Sequence, residues 1–374
     1  MKKIFYLLII GWVFYSPQFS HASLIEKKNC SACHRLSKVE KEKKGPDLFY
    51  AGNKFQDAWL EEYLQNPVTL RKAGTINSPD FLKGELQNPQ QHPILNKNDA
   101  VSITQELMVM TLPGLSEEKI NPLTKGQIAK TKYEFERTFS CISCHQSLNL
   151  AGKPRGGISG PSLVNAGNRL KENWVANWLK NPKIFSNKSR MPVYKMDNET
   201  RLRFTKFIMT LKKENLRSPM IKSSLKFIFN YGILMLVIGV SGCGEKKTEK
   251  NITPKPPLKT ESQTLKLSDE VTPEPVVVTA KTRETYQWYC AQCHGIKGKG
   301  DGINAKFLTV PPRNHTKAEY LETRTDEQFF KAIKFGGLSV GRAPCMPAWG
   351  NTLKDSTIHE LVRYIRELCQ CEAL

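Results

Sequence analysis

The chain has 374 residues, 39% hydrophobic and 24% charged, which suits a globular protein with room for two or three domains and excludes a fibrous or wholly disordered one. The formal net charge of +21 favours acidic protein partners or anionic lipid head groups, and no nucleic-acid-binding motif accompanies it. Lysine-rich surfaces and linkers also keep a protein soluble without reading any partner.

The first segment, residues 1–22, reads as a secretory signal. Lys2 and Lys3 precede an apolar run from Ile4 to Tyr15, and Ser20-His21-Ala22 is a small-x-small cleavage site that would start the mature chain near Ser23. The run is short for a membrane span. Export sends the chain to the periplasm.

Six of the ten cysteines then form three copies of one motif: Cys30-Ser31-Ala32-Cys33-His34, Cys141-Ile142-Ser143-Cys144-His145 and Cys290-Ala291-Gln292-Cys293-His294. C-x-x-C-H is the attachment signature of haem c. Two thioethers fix the porphyrin edge, and the adjacent histidine ligates the iron from the proximal side. A zinc site would need further thiolate or imidazole ligands to close a tetrahedron. The expected cofactor is therefore three covalent haems c, held by Cys30, Cys33, Cys141, Cys144, Cys290 and Cys293, with His34, His145 and His294 on the irons. In bacteria this attachment takes place outside the cytoplasmic membrane, which agrees with the signal.

The first two motifs head an internal repeat. Gly45-Pro46-Asp47-Leu48 matches Gly160-Pro161-Ser162-Leu163, Ala51-Gly52-Asn53 matches Ala166-Gly167-Asn168, Trp59 matches Trp174, and Asn66-Pro67 matches Asn181-Pro182. The offset is constant, since 160−45 and 182−67 both give 115. Two copies of one domain follow from it: a short first helix ending at the motif, a Gly-Pro loop, an amphipathic helix with the tryptophan, a loop and a closing helix.

Further along, Met220, Lys222 and Lys226 open a second signal-like stretch. Phe227 to Val240 is mostly apolar, and Val240-Ser241-Gly242-Cys243 follows. It resembles a bacterial lipoprotein signal, with Cys243 as the lipidated residue. A single transmembrane helix here would leave the third motif in the cytoplasm and its basic flank on the wrong side. From residue 244 to about 280 the composition is that of a disordered tether. The chain thus reads as a two-haem protein, 1–219, joined to a one-haem lipoprotein, 220–374, by genuine fusion, a missed stop or an internal start at Met220.

Together these features resemble the class I cytochrome c fold, over roughly 24–112, 128–213 and 283–371. The resemblance implies an all-α protein of three small domains, at 23–115, 126–216 and 281–374, each wrapped on its haem. It also implies a sixth iron ligand on a loop before the last helix, commonly Met-Pro. In the second domain that is Met191-Pro192, with Met196 as the alternative. In the third it is Met346-Pro347. The first domain differs. A gapless match of Met110-Thr111-Leu112 to Met209-Thr210-Leu211, an offset of 99, places His92-Pro93 opposite Met191-Pro192, so His92 is the expected ligand there and Met108 and Met110 are core.

Two histidines remain, His315 and His359, expected to face solvent. Of the leftover cysteines, Cys345 precedes Met346, and a bond to Cys369 or Cys371 would pin the ligand loop to the last helix. Free thiols or a tail metal site are the alternatives. With every iron six-coordinate, no catalytic residue is expected. The reading is an electron carrier between a respiratory donor and a terminal reductase or oxidase, partnered by proteins with acidic docking surfaces, membrane-tethered at least through its third domain. The third domain, through its Gly298–Gly302 and Met346–Gly350 stretches, is also similar to small cytochromes that feed anaerobic reductases. The rival readings are a di-haem peroxidase- or thiosulfate dehydrogenase-like enzyme and a haem subunit of a membrane oxidase.

Overall fold

The structure is a computed structural model that describes residues 23–74, 81–82, 92–187, 189–216 and 276–373. The signal at 1–22, the segment from Met220 to Cys243 with its lipobox, and the tether up to residue 275 lie outside the described residues. No helix among the described residues is long and apolar enough to cross a membrane.

The architecture is helical. Among the described residues the strands are Ser147–Leu148 and Pro154–Arg155, paired antiparallel. Each motif-bearing segment has a first helix, a middle helix and a last helix: Leu24–Lys27, Asp57–Gln65 and Lys97–Met108; Lys125–Tyr133, Glu172–Lys180 and Asn198–Met209; Ala280–Thr285, Asp326–Phe335 and Asp355–Cys369. Side-chain caps fix several starts. Asn96 accepts from the Asp99 amide and Asp197 from the Thr200 amide, while Thr124 with Gln127 and Thr325 with Gln328 form capping boxes. First and last helices are tied together: Glu106 accepts the Leu24 amide at 2.8 Å, and Arg283 pairs with Glu367 at 2.7 Å.

The caps correct the register of the repeat. Asn96 and Asp197 are equivalent, and the last helices begin at Lys97 and Asn198, so the offset is 198−97, or 101, and not 99. A glycine contact fixes the same register. The Gly52 amide donates to the Met110 carbonyl at 2.9 Å and the Gly167 amide to that of Leu211 at 2.9 Å. A Cβ on either glycine would lie 2.0 Å from the carbonyl oxygen of Met108 or Met209, so only glycine lets the last helix come this close. In the corrected register His92 stands opposite Val193, and Met191 stands opposite Gln90, which lies outside the described residues.

The first two segments pack about a pseudo-two-fold axis. Phe55 and Leu170, 115 apart in sequence, form an antiparallel bridge, with Gln56 N donating to Arg169 O and Lys171 N to Lys54 O, both at 2.9 Å. Equivalent positions meeting each other is the geometry of an isologous dimer, here within one chain. One apolar core runs through both segments, including Ile25, Trp59, Ile103, Phe135, Trp174 and Phe204. The third segment has its own core around Tyr286, Phe330, Ile358 and Leu361. A small buried cluster of Ala73, Phe81, Ile158 and Ile303 draws on all three segments.

Candidate haem sites

The three motifs adopt compact turns. Asn29 and Ser140, just before the first cysteine of their motifs, are left-handed at φ 54° and 53°, and each opens a 3-10 turn that carries the cysteines. In the third segment the motif lies on a helical turn, Ala291–His294. Each motif histidine makes the same bond. Nδ1 of His34 donates to the Pro46 carbonyl at 2.7 Å, that of His145 to Pro161 at 2.8 Å, and that of His294 to Arg313 at 2.9 Å. A carbonyl can only accept, so Nδ1 carries the proton and Nε2 keeps its lone pair for a metal. Burial holds all three imidazoles below the usual histidine range, His145 at about 4, so they are neutral and ligand-competent near pH 7.

Glycines make room for these rings. A Cβ at Gly45 would sit 2.6 Å from His34 Cε1, and one at Gly160 would sit 2.5 Å from His145 Cε1. Burial also pushes the thiols of Cys141, Cys144, Cys290 and Cys293 upward, Cys290 to about 12. Among the described residues no three His, Cys, Asp or Glu side chains converge on one point, as a zinc centre would require.

Residues 278–365, which include the third motif and Met346, match the family described as cytochrome c oxidase, cbb3-type, subunit III. That stretch is a class I-like haem c domain. It carries covalent haem c and the electron-transfer function of such domains in general. No curated protein and no solved structure matches the chain.

The haem c domain contains a residue that sequence reasoning misplaced. His315, expected at the surface, is 8% exposed. Its ring stacks on His294 with centroids 4.0 Å apart and planes at 19°, and the Tyr286 hydroxyl lies 3.0 Å from its Nδ1. The Pro311–Arg313 loop that supplies the carbonyl to His294 carries the chain directly to His315, so one loop orients the proximal ring and backs it. His359 is exposed and stacks on Phe330.

The cysteine pairing also differs from expectation. Cys369 and Cys371 are bonded to each other across Gln370, and Cys345 is a free, half-buried thiol. Cys345 is held elsewhere, because its carbonyl accepts the Ser143 hydroxyl of the second segment at 2.5 Å.

Opposite His34 lies His92. Their ring centroids are 6.2 Å apart, and the Nδ1 of His92 donates to the Pro93 carbonyl at 2.9 Å, which leaves its Nε2 free as well. Two imidazoles on opposite sides of one metal, each with a bond of about 2 Å, have centroids roughly 6 Å apart. Met108 and Met110 pack against the core. In the second segment the Met191 sulfur accepts the Trp178 indole N–H at 3.1 Å, whereas Met196 packs into the core. Met346 is half-buried, with its carbonyl held by the Gly337 amide at 3.0 Å.

Sequence reasoning missed a group of cations between the first and second motifs, Arg169 buried and Lys54 and Arg71 half-buried. Lys54 Nζ lies 5.2 Å from the Trp174 ring centre, and the Arg169 guanidinium lies 5.9 Å from that of Trp59. Lys54 and Arg169 are themselves equivalent, 115 apart, so each segment lends a cation to the other's tryptophan. Arg169 Nε, Arg71 Nε and Trp174 Nε1 are buried with no hydrogen-bond partner. Lys54, Arg71 and Arg169 make no ion pair with an acid among the described residues. Buried donors and mutually repelling cations of this kind need an anion. Haem carries two propionates, and these donors fit them.

Proposed function

We propose that the chain is a three-haem c-type cytochrome that carries electrons outside the cytoplasmic membrane and has no catalytic residue of its own. The carrying observation is the bond that recurs at all three motifs: a histidine whose Nδ1 is held by a backbone carbonyl beside paired cysteines, in a segment matched to a haem c family at the third copy. Cys30, Cys33, Cys141, Cys144, Cys290 and Cys293 hold the haems. His34 with His92, His145 with Met191, and His294 with Met346 would hold the irons. The first two segments are class I domains related by the repeat, and the third is the haem c domain. Bound haem supplies a one-electron couple at iron. The chain's part would be to supply these ligands, bury the ring and, at Lys54, Arg71 and Arg169, neutralise propionates of the haems at the first two motifs. Two side-chain ligands at each iron would leave no site for a substrate, which favours a carrier over a peroxidase.

Partners with acidic docking faces suit the net charge of +21. The matched family, an oxidase subunit by description, favours a terminal oxidase as the setting, with the chain as a haem subunit or its electron donor. Intact mass and a pyridine haemochrome assay test the reading directly. The full chain carries three covalent haems, and Cys141→Ala/Cys144→Ala carries two. Three haems in that variant would show that the second motif does not hold one.

The location is periplasmic, with Cys243 lipidated. Substituting Cys243→Ala releases the third domain into the soluble fraction. A product that stays in the membrane would mean that Phe227 to Val240 is a span.

A further inference from the structure

The second and third motifs meet across a buried polar contact. Asn304, fully buried, accepts the amides of Ile158 and Ser159 on its Oδ1, at 2.9 and 3.0 Å. Its Nδ2 donates to the Ser159 hydroxyl at 2.8 Å and lies 3.6 Å from the sulfur of Cys293. Ser159 adjoins Gly160, whose amide donates to the Cys144 carbonyl at 2.7 Å. Asn304 therefore ties the loop that follows the second motif to the second cysteine of the third motif, whose sulfur marks a porphyrin edge.

Both ligand loops lie in the same interface. Arg190, next to Met191, donates to the Trp288 carbonyl at 2.8 Å, with its guanidinium 3.9 Å from the Trp288 ring centre. Val193 N donates to Thr352 Oγ1 at 2.8 Å. From the other side, the carbonyls of Pro344 and Cys345, just before Met346, accept the hydroxyls of Ser140 and Ser143, which flank Cys141. Each ligand loop rests on the partner segment.

We propose that the third domain is the built-in redox partner of the second, and that electrons pass directly between these two sites across the Ser159–Asn304 contact, with Asn304 as the positioning residue. This deepens the three-haem reading and rests on it. In each transfer one iron goes from ferrous to ferric as the other goes from ferric to ferrous, and no bond forms or breaks. Alignment is exacting because tunnelling falls steeply with distance. Losing Asn304 leaves the Ile158 and Ser159 amides unpaired in a buried interface, which favours its opening.

The test uses the full chain with its haems counted. After flash reduction, electrons equilibrate between haems 2 and 3 at a rate independent of protein concentration. In the fully oxidised chain the EPR signal of haem 2 is broadened by haem 3, and Cys290→Ala/Cys293→Ala removes that broadening. Asn304→Leu slows equilibration by roughly tenfold or more and deprotects the Ile158 and Ser159 amides in hydrogen exchange, with three low-spin haems retained. Should Asn304→Leu misfold, Ser143→Ala and the EPR comparison in the unaltered chain decide. Three haems with concentration-dependent equilibration, or with no spin coupling, overturn the pairing and leave the three-haem reading intact. A chain without haem at Cys290 and Cys293 overturns both.

Discussion

In the haem-loaded chain, His92→Ala converts the first site from low-spin to high-spin and leaves the other two unchanged. The 6.2 Å between the His34 and His92 rings suits one metal between them, and both rings have their Nδ1 engaged and their Nε2 free. Tyr63, its ring 5.5 Å from that of His92, holds the imidazole from the side. The nearby sulfurs are poor substitutes. Met108 and Met110 both pack on the core, and the Met108 sulfur lies 3.8 Å from Lys171 Nζ. An imidazole donates more strongly than a thioether and favours ferric iron, so the first haem has the lowest potential of the three. Replacing His92→Met raises that potential, by a shift on the order of 100 mV within the range of about 0.8 V that axial ligands span. Visible and near-infrared spectra with a redox titration check it. A low-spin first haem at unchanged potential in His92→Ala would remove His92 from the coordination sphere.

The motifs were legible in the sequence because thioether attachment is a local, covalent demand. The 115-residue repeat was legible because its glycines, prolines and tryptophans face the same constraint twice. The last-helix register slipped by two residues because matching Met-Thr-Leu triplets compares side-chain types, whereas the helix start is set by Asn96 and Asp197 and its end by the approach of Gly52 and Gly167. His92 emerged from that match although the offset behind it was wrong. His315, the Cys369–Cys371 bond and Asn304 had no such signal. Each depends on which loop the fold brings alongside, and a loop Asn or His reads as solvated until its neighbours are known. The cations of this group were hidden in the general lysine and arginine excess. Only their position against the equivalent tryptophans separates them from surface charge.

Those cations give the last expected result, a substitution whose effect on stability changes sign with haem content. In a chain denied its first two haems (Cys30, Cys33, Cys141 and Cys144 all to Ala), Lys54, Arg71 and Arg169 repel one another, and the Asp47 carboxylate offsets this only in part at Lys54. Burial, then Arg169 and Arg71, bring Lys54 down to about 7. Burial and Arg71 bring Arg169 to about 10. A lysine that titrates near 7 when folded and near 10.4 when unfolded binds fewer protons in the folded state between those values, so the haem-free chain gains stability as pH rises from about 7 to about 10. Below 7 the lysine penalty is present in full. Replacing Lys54→Met and Arg169→Met in that background removes these charges and stabilises the chain by about 1–4 kcal/mol, with the pH slope lost. In the haem-loaded chain the propionates would bring further anions to this group. The same substitutions then strand those carboxylates and destabilise by about 3–5 kcal/mol. Urea unfolding of the two backgrounds at pH 7 and pH 9, with protease resistance as a second readout, reads both signs. The same sign in both backgrounds would mean that these cations serve the packing of Trp59 and Trp174 and not the haem.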